Sequence, residues 1–257
     1  MITCYLQGGL GNQMFQISAA HALSLDLNVT SMFDFSKCST PGQGYTSDKY
    51  VTNFFKKINN SSLNLNSFIH YHEPKFSYNK LPELDNICLF GYFQSEKYFG
   101  KYKNEIISLF SFDEIIKREV LSFIEKIKND KKITVIHVRR GDYMNLPDFH
   151  APCNIAYYTS AMGKIGDSSF IFVSDDINWC KENFKIDNVF FSDFNSEIHD
   201  LFLMTQCDNI IMSNSSFSWW GVYMNDKKNT VIAPATWFGP TGPQDTHDIF
   251  SDKWIKM

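Results

Sequence analysis

Two adjacent arginines in the segment His137–Tyr143, which reads HVRRGDY, are the side chains best suited to hold an anion. The segment follows a short apolar run that predicts a buried strand. Ligands bind beyond the carboxyl ends of strands in open α/β sheets. Arginine stays charged, and its planar fork fits phosphate oxygens with paired hydrogen bonds. Arg139 and Arg140 therefore predict a phosphate site rather than an ion pair with Asp142, because one aspartate cannot neutralise two arginines that point to different sides.

A second polar group, Ser213–Ser216, lies between a predicted strand and a predicted helix. Ser213, Asn214 and Ser215 are favoured N-cap residues. Free backbone N–H groups and the helix dipole also make a helix start suitable for an anion. Capping would explain these residues taken alone. Beside the arginine pair, a second phosphate contact becomes the better interpretation.

A glycine-rich segment, Gly8–Gln13, follows the first predicted strand and reads GGLGNQ. Glycines at this position let a ligand approach the backbone closely. Gly9 and Gly11 fit a dinucleotide-binding loop, and Asp34 lies about 20 residues further on, after a second predicted strand. The third glycine of that motif is replaced by Met14. The partial match leaves an NAD-dependent oxidoreductase as an alternative function.

Two aspartates, Asp175 and Asp176, follow the predicted strand that ends near Val173. They could bind a metal ion, a base or a ribose. The structural alternative is equally well supported, because Ser174 is a good helix cap and acidic residues favour the first turn of a helix.

Alternating strands and helices must position these groups. The apolar pattern predicts strands at residues 2–6, 29–35, 86–91, 133–138, 170–173, 189–191, 209–212 and 230–233, and helices at 12–25, 112–128, 155–164, 177–184, 196–207 and 217–224. Residues 40–84 show weak periodicity. This order predicts an α/β protein with parallel sheets. The polar run 129–132 predicts a boundary between an N-terminal domain, residues 1–130, and a C-terminal domain, residues 131–257.

Composition excludes several classes of protein. The net charge of −4 carries no basic excess of the kind that nucleic-acid binders show. The six cysteines form no CxxC motif and are expected as buried thiols in a reducing cytosol. There is no signal-like N-terminal segment and no apolar run long enough to span a membrane. We therefore expect a cytoplasmic protein that could still contact the inner face of a membrane.

Four segments together resemble glycosyltransferase family 11, the α-1,2-fucosyltransferases, of the bacterial type. They are GGLGNQMFQ (Gly8–Gln16), HVRRGDY (His137–Tyr143), FVSDDINWCKENF (Phe172–Phe184) and DLFLMTQCDNIIMSNSSFSWWGVY (Asp200–Tyr223). They occur in the family's order and span nearly the whole chain apart from residues 40–84.

The resemblance implies a GT-B fold of two Rossmann-like, doubly wound domains that face a cleft. It implies transfer of L-fucose from GDP-β-L-fucose to the 2-hydroxyl of a terminal β-galactoside, with inversion to an α-1,2 linkage. The C-terminal domain would bind GDP-fucose, and the N-terminal domain would face the acceptor. No metal and no cofactor would be needed. The acceptor could be lipid-linked, and the product would enter an O-antigen, a capsule or an oligosaccharide. The alternative within this class is another GDP-sugar.

The resemblance also implies which residues act. The donor-binding set is His137, Arg139, Arg140, Asp175, Ser215, Ser216, Asn12 and Gly11, and the catalytic set is Arg139, Arg140 and Asp142. Positive charge at the arginines would balance the charge that develops on the leaving phosphate. The general base stays open among Asp142, Asp148, His150, Glu73 and Glu96. Trp219 and Trp220 are expected to pack in the core rather than to stack on a sugar.

Overall fold

The computed structural model describes residues 1–38 and 48–257. Strands and helices alternate along most of this part of the chain. The strands are β1 (Ile2–Cys4), β2 (Ile69–His72), β3 (Ile87–Phe90), β4 (Lys132–Val138), β5 (Ser168–Ser174), β6 (Val189–Phe191), β7 (Asn209–Ile211), β8 (Thr230–Ala233) and β9 (Ile255–Lys256). The helices are α1 (Leu10–Asp26), α2 (Asp48–Val51), α3 (Lys103–Leu109), α4 (Glu114–Ile127), α5 (Pro147–His150), α6 (Ile155–Ile165), α7 (Ile177–Asn183), α8 (Glu197–Gln206) and α9 (Ser216–Tyr223).

The predicted strand at residues 29–35 is wrong in part. This segment makes only two isolated bridges, Ser31 with Ile2 and Phe33 with Asn60. Because its residues pair in turn with two different neighbours, no continuous ladder forms. Residues 39–47, most of which belong to the stretch of weak periodicity, lie outside the described residues.

The first unit comprises Met1–Ser111 together with Asp245–Phe250. Its described strands form a parallel sheet in the order β1-β3-β2, with Ile2 and Ile69 both opposite Ile87. Helix α1 packs against β1. The carboxyl ends of these strands lead into the glycine-rich segment and into the turn that follows β3.

The second unit comprises Phe112–Gln244 together with Ser251–Met257. Its parallel sheet has the strand order β6-β5-β4-β7-β8-β9. From β4 the chain adds β5 and β6 towards one edge and then returns to place β7 on the other side of β4. This reversal is a topological switch point, where ligands of doubly wound sheets bind. Apolar side chains of the strands, such as Ile136, Phe172 and Ile211, form part of the hydrophobic core of this unit.

The division between the units lies earlier than residue 130. Helix α4 belongs to the second unit because it packs against α8. Aromatic pairs add to this contact: Phe123 of α4 packs on Phe194, which precedes α8, with ring centroids 5.5 Å apart, and Phe112, which precedes α4, packs on Phe202 of α8 at 4.9 Å. The polar run at residues 129–132 therefore leads into β4 and is not a linker between the units.

All six cysteines are free and buried, as predicted. Trp219 and Trp220 are 3% and 0% exposed, which confirms that they pack in the core. Within the described ranges, no helix combines the length and apolar character that crossing a membrane requires.

Candidate functional site

The ends of β4, β5 and β7 in the second unit bring most of the predicted site residues together. His137 lies at the end of β4, and Arg139 and Arg140 follow it. Asp175 follows β5, which pairs with β4, and the serine-rich segment follows β7 on the other side. The switch point of the sheet thus carries both sequence motifs, because parallel strands present their carboxyl ends on one edge.

Arg139 lies between two carboxylates. One terminal nitrogen donates to Asp142 Oδ1 at 2.6 Å, and the other lies 3.2 Å from Asp175 Oδ2. The guanidinium also sits 5.3 Å from the centre of the Tyr143 ring. Burial raises the pKa of Asp175, and the charge of Arg139 opposes that rise. These contacts hold the arginine fork in a defined orientation.

Arg140 points to a different group of residues. Its Nε lies 3.3 Å from Asp176 Oδ2, and its guanidinium stacks 4.0 Å from the centre of the Trp179 ring. Its backbone N–H donates to Asp175 Oδ1 at 2.9 Å. The two arginines point to different sides, as predicted. The argument against ion pairs is wrong, because three aspartates rather than one face the arginines. An incoming anion must therefore compete with carboxylates for the arginine donors.

The two neighbouring aspartates have separate roles. Asp176 is the N-cap of α7 and accepts from the Trp179 N–H at 3.2 Å, while Ser174 Oγ accepts from the Asp176 N–H. Helix capping thus accounts for Asp176. Both aspartates contact the arginine segment: Asp175 contacts Arg139 and the Arg140 N–H, and Asp176 contacts the Arg140 guanidinium.

His137 is buried and held in the neutral form. Its Nδ1 lies 2.8 Å from Ser213 Oγ, and its ring packs 5.0 Å from the ring of Phe217. Burial, with the nearby charge of Arg139, lowers the pKa of His137 to about 3. His137 therefore joins the β4 end to the serine-rich segment without adding charge.

The serine-rich segment is organised by hydrogen bonds to the backbone. Ser215 is the N-cap of α9 and accepts from the Phe217 N–H at 3.3 Å. Ser218 Oγ donates to the Ser213 carbonyl at 2.9 Å. Ser216 is the first residue of α9 and is partly exposed. Ser215 therefore does cap helix α9, and the start of that helix lies at the same edge of the sheet as the arginines.

Asn214 connects this segment to two other loops. Its amide donates to the carbonyls of His150 and Trp237, the latter at 2.8 Å. The backbone carbonyl of Asn214 accepts from Tyr143 Oη at 3.2 Å. Tyr143 in turn stacks on His150, with ring centroids 4.0 Å apart and planes 8° from parallel. The residue is a buried connector, and the sequence suggested only a capping role for it.

Asp200 is a further candidate site residue, and the sequence did not single it out. Its Oδ1 accepts a short hydrogen bond from Ser192, which follows β6 at the same edge of the sheet. Burial raises the pKa of Asp200 to about 7, although the Ser192 hydrogen bond opposes this. The available signal was an acidic residue directly before the apolar run Leu201–Met204 in α8, where an unpaired carboxylate is costly.

The glycine-rich segment forms a separate group in the first unit. Gly8 has φ +76°, and a Cβ there would lie 2.5 Å from Asn12 Nδ2. Gln13 Nε2 donates to the Gly8 carbonyl at 2.9 Å, and Gln94 Nε2 donates to Asn12 Oδ1 at 2.8 Å. Helix α1 begins at Leu10, so Gly11 and Asn12 lie in its first turn and not in the preceding loop.

Asp34, the acidic residue of the dinucleotide interpretation, has its carboxylate engaged within the protein. Its Oδ1 accepts from the Ser36 N–H at 3.0 Å and its Oδ2 from the Leu63 N–H at 2.9 Å. The residue is 4% exposed. A carboxylate that stabilises local backbone in this way is poorly placed to recognise a ribose.

Comparison with protein families and curated proteins gives a consistent result. Residues 1–257 match the model of glycosyl transferase family 11. The chain is 30% identical over 310 residues to the O-antigen biosynthesis glycosyltransferase WbnK of Escherichia coli, with all of both chains covered. It is 28% identical over 295 residues to an α-1,2-colitosyltransferase of Escherichia coli, covering 100% of this chain and 99% of the relative. It is 25% identical over 256 residues to a galactoside 2-α-L-fucosyltransferase of Caenorhabditis elegans, covering 90% and 71%.

Solved structures show the same fold. The α-1,6-fucosyltransferase NodZ soaked with GDP-fucose superposes with a TM-score of 0.51 at 12% identity, covering 86% of this chain and 91% of that one. POFUT1 in complex with GDP-fucose gives a TM-score of 0.50 at 12% identity, covering 90% and 96%. The predicted GT-B type of fold, built from α/β units with parallel sheets, is confirmed.

Proposed function

Because the chain belongs to glycosyl transferase family 11, we propose that it transfers L-fucose from GDP-β-L-fucose to the 2-hydroxyl of a terminal β-galactoside. The coarser activity, glycosyl transfer from a GDP-sugar, follows from the family and the relatives. The α-1,2 linkage is supported by the names of two relatives, the colitosyltransferase and the fucosyltransferase. Inversion at the anomeric carbon is part of the proposal.

The arginine pair at the switch point is the observation that carries the proposal. As the acceptor oxygen bonds to C1 of the sugar, the bond from C1 to the β-phosphate oxygen breaks and its electron pair goes to the phosphate. Arg139 and Arg140, with the start of α9 at Ser215 and Ser216, would stabilise that charge. They lower the barrier only if these contacts strengthen as the charge develops.

The carboxylates around Arg139 suit this role. Asp142 Oδ1 holds one arm of the guanidinium, and Asp175 Oδ2 lies beside the other. Such contacts restrict the fork before the substrate arrives, so less side-chain entropy is lost on binding. In the proposal Asp142 orients Arg139, Asp175 contacts the ribose or guanine, and His137 supports the Ser213 side of the site.

The glycine-rich segment of the first unit carries the remaining residues of the proposed donor-binding set. Gly11 and Asn12 are assigned to the nucleotide sugar by the resemblance, and the NH₂ group of Asn12 is suited to donate to a phosphate oxygen. The acceptor hydroxyl must lose its proton on the face opposite the leaving group. Asp142 is paired with Arg139, which favours an orienting role over that of general base.

A second donor, GDP-colitose, has a specific observation in its favour. The α-1,2-colitosyltransferase aligns with 100% of this chain and over 99% of its own length. Colitose is L-fucose without the 3-hydroxyl, so one phosphate site would serve both donors. The oxidoreductase alternative, by contrast, loses its support with the engaged carboxylate of Asp34 and the family match.

The biological setting is proposed from the relatives. An O-antigen biosynthesis glycosyltransferase is among them, so we place the product in O-antigen, capsule or oligosaccharide synthesis, made in the cytoplasm or at the inner face of the membrane. The acceptor would be a galactoside, which could be lipid-linked.

The test is GDP release by the purified protein from GDP-fucose, GDP-colitose or GDP-mannose, with and without lactose, in EDTA. Acceptor-stimulated release from GDP-fucose in EDTA is expected, since arginines replace a metal in this proposal. Preference for GDP-colitose would assign the second donor. Release that requires a divalent cation would contradict the metal-independent mechanism, and absence of GDP binding by calorimetry would contradict the donor site.

A further inference from the structure

The turn Gly91–Ser95, which follows β3 in the first unit, has a strained backbone. Phe93 is fully buried and has φ +52°. This left-handed conformation is rare for a bulky residue and costs on the order of 1–3 kcal/mol. Such a conformation persists only where the surrounding structure determines it.

Contacts of Glu73, Gln16 and Gly91 hold the turn in this conformation. Glu73 accepts from the Tyr92 N–H at 2.8 Å and from the Phe93 N–H at 3.0 Å. Gln16 Nε2 donates to the Gly91 carbonyl at 3.1 Å. A Cβ at Gly91 would lie 2.4 Å from the Cβ of Glu73, so only glycine permits this approach. The backbone of the turn is therefore held from both sides.

The turn delivers one side chain to the glycine-rich segment. Gln94 is 7% exposed, and its Nε2 donates to Asn12 Oδ1 at 2.8 Å. A side-chain amide has one carbonyl acceptor and one NH₂ donor. Because Oδ1 accepts from Gln94, Nδ2 is the remaining polar atom of the Asn12 side chain, and it lies close to Gly8.

We propose that Gln94 is a positioning residue that orients the Asn12 amide so that its NH₂ group meets an oxygen of the nucleotide sugar. This inference rests on the proposed function. A phosphate oxygen only accepts hydrogen bonds, so the reversed amide would present a carbonyl oxygen and repel it. The strained turn anchored by Glu73 maintains this orientation.

The direct test is the pair Gln94→Glu and Gln94→Ala. A carboxylate can only accept, so Gln94→Glu turns the Asn12 amide around, whereas Gln94→Ala leaves it free to rotate. A lost hydrogen bond to a charged group corresponds to roughly a 10- to 100-fold weaker interaction. We expect KM for the nucleotide sugar to rise by that factor in Gln94→Glu and by about threefold in Gln94→Ala, with KM for the acceptor unchanged. A rise confined to the acceptor KM would overturn the assignment of the partner oxygen.

A double-mutant cycle with Asn12→Ala separates orientation from added charge. If Gln94 acts through Asn12, Gln94→Glu has no further effect in the Asn12→Ala background. An equal effect in both backgrounds would show that the new charge alone repels the ligand and would overturn the proposal. Thermal melts of all variants identify any loss of folding.

A measurement without substrate keeps the inference distinct from the proposed function. The side-chain amide signals of Asn12 in ¹⁵N spectra, identified by their loss in Asn12→Ala, should move downfield in Gln94→Glu because the NH₂ group then donates to a carboxylate. Unmoved signals would overturn the orienting role. A wild-type protein that releases no GDP would refute the proposed function while leaving this result readable.

Discussion

At the scale of single residues, the site depends on competition for arginine donors. Arg139 is shared by Asp142 and Asp175, and Arg140 is paired with Asp176. Each carboxylate orients an arginine and also opposes an incoming anion. In the proposed function these ion pairs orient the arginines, and net affinity for the nucleotide sugar would come from additional hydrogen-bond donors around them.

The first prediction concerns Arg139. In Arg139→Ala the rate of GDP-sugar turnover should fall by roughly 10²–10³-fold, by analogy with the loss of one oxyanion donor. Arg139→Lys should restore little, because a point charge cannot bridge Asp142 and Asp175 as the fork does. Initial rates at saturating donor measure the effect. The exposed Arg118→Ala is the control, and a rate for Arg139→Ala within about threefold of wild type contradicts the assignment.

The second prediction concerns Asp200 and pH. Its folded pKa is raised to about 7 from 3.8, so the folded state disfavours the charged form. The contribution of Asp200 to stability is therefore most favourable below about pH 4 and is lost as the pH rises through about 7. Asp200→Asn should therefore be more stable than wild type at pH 8, by up to about 4 kcal/mol, and should match it near pH 4.

Thermal melts at pH 4 and pH 8 test this change, because the amide oxygen can still accept from Ser192. The exposed Asp187→Asn, which makes the same change of side chain at the surface, serves as the matched control. A lower melting temperature for Asp200→Asn at pH 8 would mean that the carboxylate is stabilised by contacts other than the Ser192 hydrogen bond.

At the scale of elements, the structure uses tight backbone turns to present side chains. Gly8 allows Asn12 to lie close to the chain at the start of α1, and Gly91 allows Glu73 to reach the turn after β3. In the second unit Asn214 links the segment after β7 to the loops that contain His150 and Trp237. These connections, rather than the strands alone, set where the polar groups lie.

The third prediction contrasts two glycines. Gly8→Ala should destabilise the protein by about 1–2 kcal/mol, because φ is +76° and the new Cβ would meet the Asn12 amide. Gly163→Ala should stabilise it by about 0.5–1 kcal/mol, because Gly163 lies in α6 and a Cβ there meets no atom within 4 Å. Denaturant unfolding of both variants gives the two free energies. Equal signs for the pair would contradict the argument.

At the scale of the whole molecule, the chain enters the second unit after Ser111, returns to the first at Asp245–Phe250 and ends in the second. The returning segment is anchored within the first unit. Asp245 Oδ2 accepts from the Ser77 N–H and Asp248 Oδ2 from the Tyr78 N–H, both at 2.9 Å. Neither unit is therefore a single stretch of sequence.

The fourth prediction tests this anchoring. Asp248→Ala removes the acceptor for the Tyr78 N–H and the ion pair with Lys97, and should cost about 1–3 kcal/mol. Limited proteolysis near residues 245–250 should become faster. Asp252→Ala, an exposed position shortly after the segment, should change stability by less than about 0.5 kcal/mol. Unchanged proteolysis in Asp248→Ala would show that other contacts hold the segment.

Sequence periodicity alone was sufficient to predict most strands and helices of the second unit. Strands β6 and β8 have the predicted bounds, and α6 through α9 differ from prediction by one residue or so at their ends. The regular alternation of apolar strands and amphipathic helices makes such a pattern legible. The motifs at the strand ends were legible for the same reason, since arginines and serines that interrupt apolar runs stand out.

Other features were decided by tertiary structure. The pairing of Arg139 with Asp175, the low pKa of His137 and the role of Asp200 depend on side chains that are distant in sequence and meet only in the folded sheet. The connection of Gln94 to Asn12 spans 82 residues, and no local pattern encodes it.

The sequence by itself therefore determined the family, through its four motifs, and the order of most elements of the second unit, through local apolar patterning. It also determined the positions of the arginine and serine motifs, because their residues are adjacent in the chain. The tertiary structure decided which carboxylates face each arginine, where the chain divides and which amide orients Asn12. Those outcomes depend on packing and burial, which bring together side chains from segments that are distant in the sequence.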